Sequence, residues 1–310
     1  MAIVDFVARN FQKGAGFAII PSADEVRKSL FYWSLISAGA TGRADLKKFG
    51  ARSFHRAKSL FLLADCMIDW PASSDSSVSS MFRQCDRSEK AIVSYHVGMG
   101  LTKCFAWKGL GIRWLMHVDR AAHLHHLTFG TGRSRPDLLG LDKIKSWHVV
   151  EAKGRSDVIE KGLAKAAKAQ ASRVVTVNAL PPASAFSSIT HLKYSPLSVS
   201  FDDPRPRKDE QRQFQWSINI EDFLQAYYAT FQDWFAVSKL TRRVNDVDFR
   251  MISFAVRRDG VNKRIEIGMA SSLLSRPENA FEILPRMPQI ELDNNEGVFI
   301  GPDGLLIRES

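Results

Sequence analysis

Two carboxylates and a lysine stand where two predicted strands begin and end. Pro136 and Asp137 open an apolar run, and Glu151, Ala152 and Lys153 close the next one. Side chains two positions apart on a strand point to the same face, so Glu151 and Lys153 project together. If the two runs pair as a hairpin, Asp137 reaches that face as well. Converging carboxylates form a hard oxygen site of the kind that binds Mg²⁺ or Mn²⁺ with several waters retained.

A cation of this kind beside a lysine is suited to the hydrolysis of phosphodiester bonds. The cation polarises a phosphoryl oxygen and lowers the pKa of its water, and a second positive group stabilises charge beside the nucleophile. The competing interpretation is that Glu151 and Lys153 are an exposed charge pair that closes a strand. That interpretation does not explain why an apolar strand ends in charges opposite an acidic strand start.

Hydrophobic periodicity predicts the elements that would hold these residues. Apolar or small residues recur at helical spacing between residues 88 and 105. The aromatic and aliphatic runs after that segment have the composition of strands. An Ala- and Lys-rich segment opens with Asp157 and Glu160 at capping-box spacing, which predicts a second helix. The order of elements predicts an α/β fold with a mixed sheet flanked by helices. The predicted elements are a helix at residues 88 to 105, strands at 112 to 119, 137 to 139 and 147 to 153, a helix at 157 to 171, and strands at 174 to 177 and 197 to 201.

The chain divides by composition into three predicted regions. Residues 1 to 85 form a mainly helical N-terminal region, residues 86 to 204 form the α/β core, and residues 205 to 310 form an α+β region that could pack on the core. In the last region we expect a helix at 220 to 237 and a hairpin at 249 to 267.

The motif resembles that of the PD-(D/E)xK nuclease superfamily, also called restriction-endonuclease-like, because Pro136-Asp137 is followed by Glu151-Ala152-Lys153 in this order of elements. The resemblance covers roughly residues 88 to 203 and implies a restriction-endonuclease-like core. It implies that Asp137 and Glu151 bind Mg²⁺ or Mn²⁺, that the Ala152 carbonyl is an extra ligand and that Lys153 is the catalytic lysine. It also implies a nuclease for which DNA is favoured over RNA and, by analogy, a role in defence against foreign DNA.

Two further residues enter through the same resemblance. Many members add a glutamate from the helix before the strands, and Glu89 is the match here. Some members place a polar residue on the helix after the strands, where Gln170 shares a predicted sheet-facing stripe with Ile159, Leu163 and Ala166. The sequence departs from one branch of the superfamily, because no tyrosine follows Gln170 at the spacing of that branch.

The chain is basic, with 43 Lys and Arg against 33 Asp and Glu, a formal net charge of +10 and a pI near 9.6. This balance favours anionic partners such as nucleic acid or an acidic membrane. Cations near the motif would hold a phosphate backbone without reading sequence, although most of the lysines there fit a solvated helix face equally well. The predicted nucleic-acid-binding residues are Arg133, Arg135, Arg155 and Lys168.

Other features of the sequence narrow the class of protein. The three cysteines are odd in number and far apart, which argues against a disulfide framework or paired zinc ligands and favours a reducing cytoplasm. No run of about 18 apolar residues predicts a membrane span. His123, His125 and His126 are interpreted as part of a loop leading to the site rather than as metal ligands, because adjacent histidines on a strand point to opposite faces.

Several alternatives stay open at this point. The chain could be a nucleic-acid-binding or assembly module that is inactive alone or needs a partner, although intact Asp137, Glu151 and Lys153 argue against a site that has been lost. It could also be an RNA-directed or structure-specific nuclease. The flanking regions could form homodimer contacts or dock a protein partner, and the chain contains no nucleotide-binding loop.

Overall fold

The structure is a computed structural model that describes residues 1 to 11, 23 to 42, 52 to 120, 135 to 157, 162 to 203, 214 to 258, 261 to 287 and 298 to 310. Its helices are α1 (Lys28–Ala40), α2 (Arg52–Met67), α3 (Ser80–Gln84), α4 (Arg87–Leu110), α5 (Leu163–Ala171), α6 (Ile220–Ala236), α7 (Ser271–Ser275) and α8 (Ala280–Ile283), with 3₁₀ turns at Pro277–Asn279 and Leu284–Arg286. Its strands are β1 (Ala2–Arg9), β2 (Ala23–Val26), β3 (Ile68–Asp69), β4 (Ser77–Val78), β5 (Ile112–His117), β6 (Leu138–Asp142), β7 (Trp147–Arg155), β8 (Val174–Val177), β9 (Ser184–His191), β10 (Ser198–Asp202), β11 (Phe214–Trp216), β12 (Thr241–Val244), β13 (Val247–Arg258), β14 (Val261–Ala270), β15 (Val298–Ile300) and β16 (Leu305–Glu309).

The central sheet is mixed and has seven strands in the order β2, β1, β10, β9, β7, β6, β5. Strands β5, β6 and β7 form an antiparallel meander, and β9 lies parallel to β7. Strand β10 is antiparallel to β9 and parallel to β1. The α/β class with a mixed sheet and flanking helices is therefore confirmed.

Helix α4 packs against β7 and β9 on one face of this sheet. Thr102 Oγ1 lies 2.6 Å from Ser188 Oγ, and Gly98 meets Gly154 so closely that a Cβ on Gly98 would lie 2.9 Å from the Gly154 Cα. A Cβ on Gly154 would lie 1.7 Å from the Ser94 carbonyl oxygen. Glycine at position 154 therefore sets how near the helix comes to the strand that carries Glu151 and Lys153.

Helix α5 lies between β7 and β8 in the chain and packs on β7 and β9. Its Lys168 Nζ lies 2.7 Å from Asp202 Oδ2 of β10. The helix was predicted to begin at residue 157, but it begins at Leu163 after Gly162, whose φ of 100° is left-handed. A residue with that backbone conformation does not continue an α-helix, which explains the later start.

The expectation of a mainly helical N-terminal region is wrong for its first residues. Ala2, Val4 and Phe6 are buried and alternate with more exposed residues, which is the period of a strand and not of a helix. The resulting strand β1 and its neighbour β2 belong to the same sheet as strands of the predicted core.

The strand predicted at residues 174 to 177 exists, but it is not part of the central sheet. It is β8, which pairs with β11 in a separate two-stranded sheet. The position beside β7 is taken by β9, and the strand predicted at 197 to 201 is confirmed as β10.

The C-terminal region contains a five-stranded sheet in the order β12, β13, β14, β16, β15. The predicted hairpin is confirmed as β13 and β14, and the predicted helix is confirmed as α6. Among the described helices, none is both long enough and apolar enough to cross a bilayer.

A buried polar cluster joins the C-terminal region to the helices. Asp303 accepts hydrogen bonds from Trp33 Nε1 at 2.8 Å, Tyr227 Oη at 2.6 Å and Ser37 Oγ at 3.1 Å. Lys103 Nζ lies 3.7 Å from Asp303 Oδ2, and burial lowers the pKa of this lysine to about 8 although the Asp303 charge opposes the change. The cluster ties α1, α4 and α6 to the segment before β16.

Candidate active site

Asp137 and Glu151 lie opposite each other where β6 begins and β7 nears its end. The two strands pair with Leu138 facing Val150, so Asp137 and Glu151 occupy the next position of that antiparallel register. The Ala152 N–H donates a hydrogen bond to Asp137 Oδ2 at 3.2 Å, which holds this carboxylate against β7. The predicted hairpin of the two strands is therefore confirmed.

Lys153 contacts both carboxylates. Its Nζ lies 3.6 Å from Asp137 Oδ2 and forms an ion pair with Glu151 Oε1. The side chains of Lys153 and Asp137 are each 23% exposed, whereas that of Glu151 is 0% exposed. The structure therefore brings these three predicted residues together, with Glu151 beneath the other two.

The Glu151 carboxylate lacks part of its hydrogen bonding. Its Oε2 is buried and accepts no hydrogen bond from the described residues. Burial raises the pKa of Glu151 from 4.5 to about 8, the Asp137 carboxyl adds to the rise, and the Lys153 ammonium opposes it. Because a buried carboxylate stays charged only when positive charge or donors compensate it, the site fits an added cation.

The oxygen atoms here are of the type that hard divalent cations bind. The Ala152 carbonyl points toward Asp137 as its N–H does, because the N–H and C=O of one strand residue lie on the same side of the strand. Within the described ranges, no group of three or more His, Cys, Asp or Glu side chains lies together. A cation held by Asp137 and Glu151 would therefore complete its shell with carbonyl oxygen and water, as Mg²⁺ commonly does.

Glu89 has a different setting from the one expected of a site residue. Its Oε2 accepts from the Asp86 N–H at 3.2 Å, and Asp86 Oδ1 accepts from the Glu89 N–H at 2.9 Å. This exposed, reciprocal capping box begins α4. The structure gives Glu89 a capping role and does not gather it into an acidic group with Asp137 and Glu151.

Gln170 is not on the fully buried side of α5. The helix contacts the sheet through buried Ala167 and Ala171, while Ala166, which was predicted to face the sheet, is exposed. Gln170 itself is half-buried at the margin of this contact. The predicted stripe is therefore displaced by one position, and Ile159 lies outside the described residues.

Two of the four predicted phosphate-binding cations are engaged in ion pairs. Arg135, close to the start of β6, pairs with Asp119, and Lys168 of α5 pairs with Asp202. Each cation would have to share or exchange this partner in order to contact a phosphate.

Arg155 lies on β7 two positions beyond Lys153 and so extends the same face of the sheet. It is half-buried, and its guanidinium donates to the Gly154 carbonyl at 3.0 Å. The fourth predicted cation, Arg133, lies outside the described residues. The loop predicted from His123, His125 and His126 lies outside them as well.

Ser187 is a neighbour of the site that the sequence analysis missed. On β9, Ser187 pairs with Glu151 and Ser188 pairs with the following residue of β7. Because Ser188 bonds to Thr102 of α4, Ser187 points to the opposite face, where Glu151 lies. The serine-rich stretch at 184 to 191 has the composition of a loop, and its residues are buried almost without alternation, so no period-two pattern marked it as a strand.

A second group of hydrogen-bonded polar side chains lies at the other end of β7. Ser184 Oγ is 2.8 Å from His148 Nδ1, and His148 Nε2 is 3.2 Å from Asp142 Oδ2. This order of groups resembles that of a hydrolytic triad, but all three residues are buried, and Asp142 also accepts the N–H groups of Ile144 and Ser146 in the β6 to β7 turn. We interpret these hydrogen bonds as structural contacts that connect β6, β7 and β9.

Comparison of the chain with protein-family models, with curated proteins and with solved structures found no match. The functional assignment therefore depends on the geometry and chemistry of the site itself.

Proposed function

We propose that this protein is a nuclease that depends on Mg²⁺ or Mn²⁺ and has a restriction-endonuclease-like core of the PD-(D/E)xK type. One observation carries the proposal. Asp137, Glu151 and Lys153 meet at one point of the sheet, and the buried Oε2 of Glu151 accepts no hydrogen bond from the described residues. A carboxylate that merely closed a strand would be hydrated, because burying a charge without full compensation is costly.

The order of elements around the site supports this proposal. Helix α4 precedes the β5, β6, β7 meander, helix α5 follows it, and β9 lies parallel to β7. The superfamily resemblance implies the order helix, three strands, helix, strand. Here the strand that lies beside β7 is β9, while β8, which precedes β9 in the chain, pairs with β11 in a small separate sheet. The fold alone does not specify an activity, so the chemistry is argued from the side chains.

The bound cation would supply polarisation of a phosphoryl oxygen and a lower pKa for its water. Asp137 and Glu151 would hold it, with the Ala152 carbonyl as an extra ligand. The Lys153 ammonium, which contacts both carboxylates in the structure, would donate hydrogen bonds to the phosphate or orient the attacking water. Such a charge-assisted donor beside the reacting group stabilises the negative charge that develops there.

The substrate that we propose is DNA in preference to RNA, on the strength of the family resemblance. The net charge of +10 supports a nucleic-acid partner, and Arg155 extends the face that carries Glu151 and Lys153. A reducing cytoplasm as the location is supported by Cys66, Cys85 and Cys104, which form no disulfide. Defence against foreign DNA is the biological role that we propose by analogy.

The test is cleavage of plasmid, linear duplex, single-stranded DNA and RNA by the full chain with Mg²⁺, Mn²⁺ or EDTA. Asp137→Asn, Glu151→Gln and Lys153→Met should each lower the cleavage rate by roughly 100-fold or more. Glu89→Gln is the matched control, because it also replaces a glutamate by glutamine, but at the exposed capping box. We expect Glu89→Gln to cut at the wild-type rate.

Three outcomes would change this assignment. Cutting that survives Glu151→Gln and Lys153→Met would refute the site. Cutting of RNA alone would replace DNA as the substrate class. Salt-sensitive DNA binding without cutting would favour a binding or assembly module, or a nuclease that needs a partner. Light scattering on the same samples would show whether the chain forms a homodimer.

A further inference from the structure

Ser187 carries a hydroxyl that is fully buried and has no hydrogen-bond partner among the described residues. Buried hydroxyl groups in folded proteins are nearly always bonded, and an orphan commonly marks a missing water or ion. The position of this orphan is informative, because Ser187 pairs directly with Glu151, whose buried Oε2 also accepts no hydrogen bond. Two unsatisfied polar groups therefore stand on neighbouring strands, on the same face of the sheet.

The other neighbour of Ser187 already has a donor at each carboxylate oxygen. On β10, Ser187 pairs with Asp202. Both oxygens of that carboxylate are engaged, because Asn10 Nδ2 donates to Oδ1 at 2.6 Å and Lys168 Nζ lies 2.7 Å from Oδ2. The Glu151 carboxylate, in contrast, has an Oε2 with no hydrogen-bond partner among the described residues, so the unsatisfied groups are on the Glu151 side of β9.

We propose that Ser187 belongs to the cation site and hydrogen-bonds to the hydration shell of the cation that Asp137 and Glu151 bind. This role rests on the nuclease function proposed above. The chemistry is consistent on both sides. A Mg²⁺ or Mn²⁺ ion held by two carboxylates keeps several waters, and those waters are strong donors for which a serine oxygen is an acceptor. Ser187 is thus a positioning residue that acts on the cation through water and does not bind it directly.

The neighbouring serine provides a matched control. Ser188 is one position further along β9, is equally buried, and has its hydroxyl bonded to Thr102 on the opposite face. Removing either hydroxyl deletes one buried oxygen from the same strand. Only the loss at position 187 should alter cation binding.

The experiment measures Mn²⁺ affinity of the full chain by calorimetry and by electron paramagnetic resonance. Ser187→Ala should weaken Mn²⁺ binding by about 10- to 100-fold, the usual effect of removing a partner that supports a metal site from outside its ligand shell. Ser188→Ala should bind as the wild type does. Ser187→Thr and Ser187→Val add the same bulk and differ in the hydroxyl, so the threonine variant should bind Mn²⁺ more tightly than the valine variant even if both are less stable.

The outcomes separate this inference from the proposed function. Wild-type affinity in Ser187→Ala, or equal affinities of the Thr and Val variants, would overturn the role of Ser187 and leave the nuclease proposal standing. If neither the wild type nor Glu151→Gln binds Mn²⁺, the cation site as a whole is overturned, and the role of Ser187 with it.

Discussion

Replacing Glu151 by glutamine should make the cation-free protein more stable at neutral pH, although it should abolish cleavage. The carboxylate is fully buried, and its Oε2 accepts no hydrogen bond from the described residues. Glutamine has the same shape and no charge to bury. The Glu151 carboxylate is placed to bind a cation, and it destabilises the fold when no cation is bound. The substitution removes this destabilising group.

The size of the effect follows from the pKa of Glu151, which burial raises from 4.5 to about 8. A carboxyl whose folded pKa lies above its unfolded pKa makes its full contribution to stability below pH 4.5 and loses it as the pH rises through about 8. Each pH unit in that window costs about 1.4 kcal/mol. By pH 7 the free energy of unfolding of the wild type should be lowered by about 3 kcal/mol through this group alone.

The assay is urea unfolding of wild type and Glu151→Gln in EDTA between pH 5 and pH 8. The difference in unfolding free energy should move by about 2 to 3 kcal/mol in favour of glutamine from pH 5 to pH 7. Asp246→Asn, whose carboxyl is 95% exposed, serves as the control and should show no such movement. Adding Mg²⁺ at about 100 times its Kd should then restore roughly 3 kcal/mol to the wild type and nothing to Glu151→Gln.

A difference between the two proteins that stays constant from pH 5 to pH 8 would refute this reasoning, because it would mean that Glu151 is charged and compensated in the cation-free fold. Equal stabilisation of both proteins by Mg²⁺ would place the cation elsewhere.

The remaining predictions concern the lysine, the helix contact and the buried cluster. Lys153→Met should lose cleavage yet bind Mn²⁺ several-fold more tightly, because two carboxylates lose their ammonium partner. A lower Mn²⁺ affinity of this variant in calorimetry would contradict the prediction. Gly154→Ala should lower the free energy of unfolding by about 1 to 3 kcal/mol in urea titrations, because its Cβ would overlap the Ser94 carbonyl oxygen, and a neutral substitution would mean that α4 moves freely. Asp303→Ala should lower the free energy of unfolding by about 3 to 5 kcal/mol, because Lys103 would stay buried without its counter-charge. Adding Lys103→Met should recover part of that loss. Additive effects of the two substitutions would argue against an interaction between the two residues.

The central part of the site could be predicted from sequence because strand periodicity and the motif agree. Residues two apart on β7 point the same way, and the hairpin register places Asp137 opposite Glu151. Both facts follow from the alternation of side chains along a strand, which local sequence carries. The burial of Glu151 could not be predicted in this way, because burial depends on which distant elements pack on β7, such as β9 beside it and the helices α4 and α5.

Errors in the prediction arose where pairing between distant segments decides the structure. The run at 174 to 177 is apolar enough for the central sheet, but it pairs with β11 instead. The run that contains Ser187 is rich in polar residues, yet it is a central strand, because it pairs with β7 on one side and with β10 on the other. One difference is local. Glu89 was assigned to the site by its position on α4, but its carboxylate accepts the Asp86 N–H in a capping box, a pattern whose spacing is present in the sequence. For the two strands, local patterns do not reveal which distant segment becomes the partner.

The pairing of β1 with β10 has a consequence for the order in which the chain folds. Strand β1 precedes the other described strands, and its parallel neighbour β10 follows every other strand of the central sheet. During synthesis, the segment from α4 to β9 is complete before β10 leaves the ribosome, and closing so long a loop is slow. The strands that carry Asp137 and Glu151 should therefore pair first, and β1 should dock last. Until it docks, β10 presents an open strand edge, which makes this late intermediate the species most exposed to aggregation.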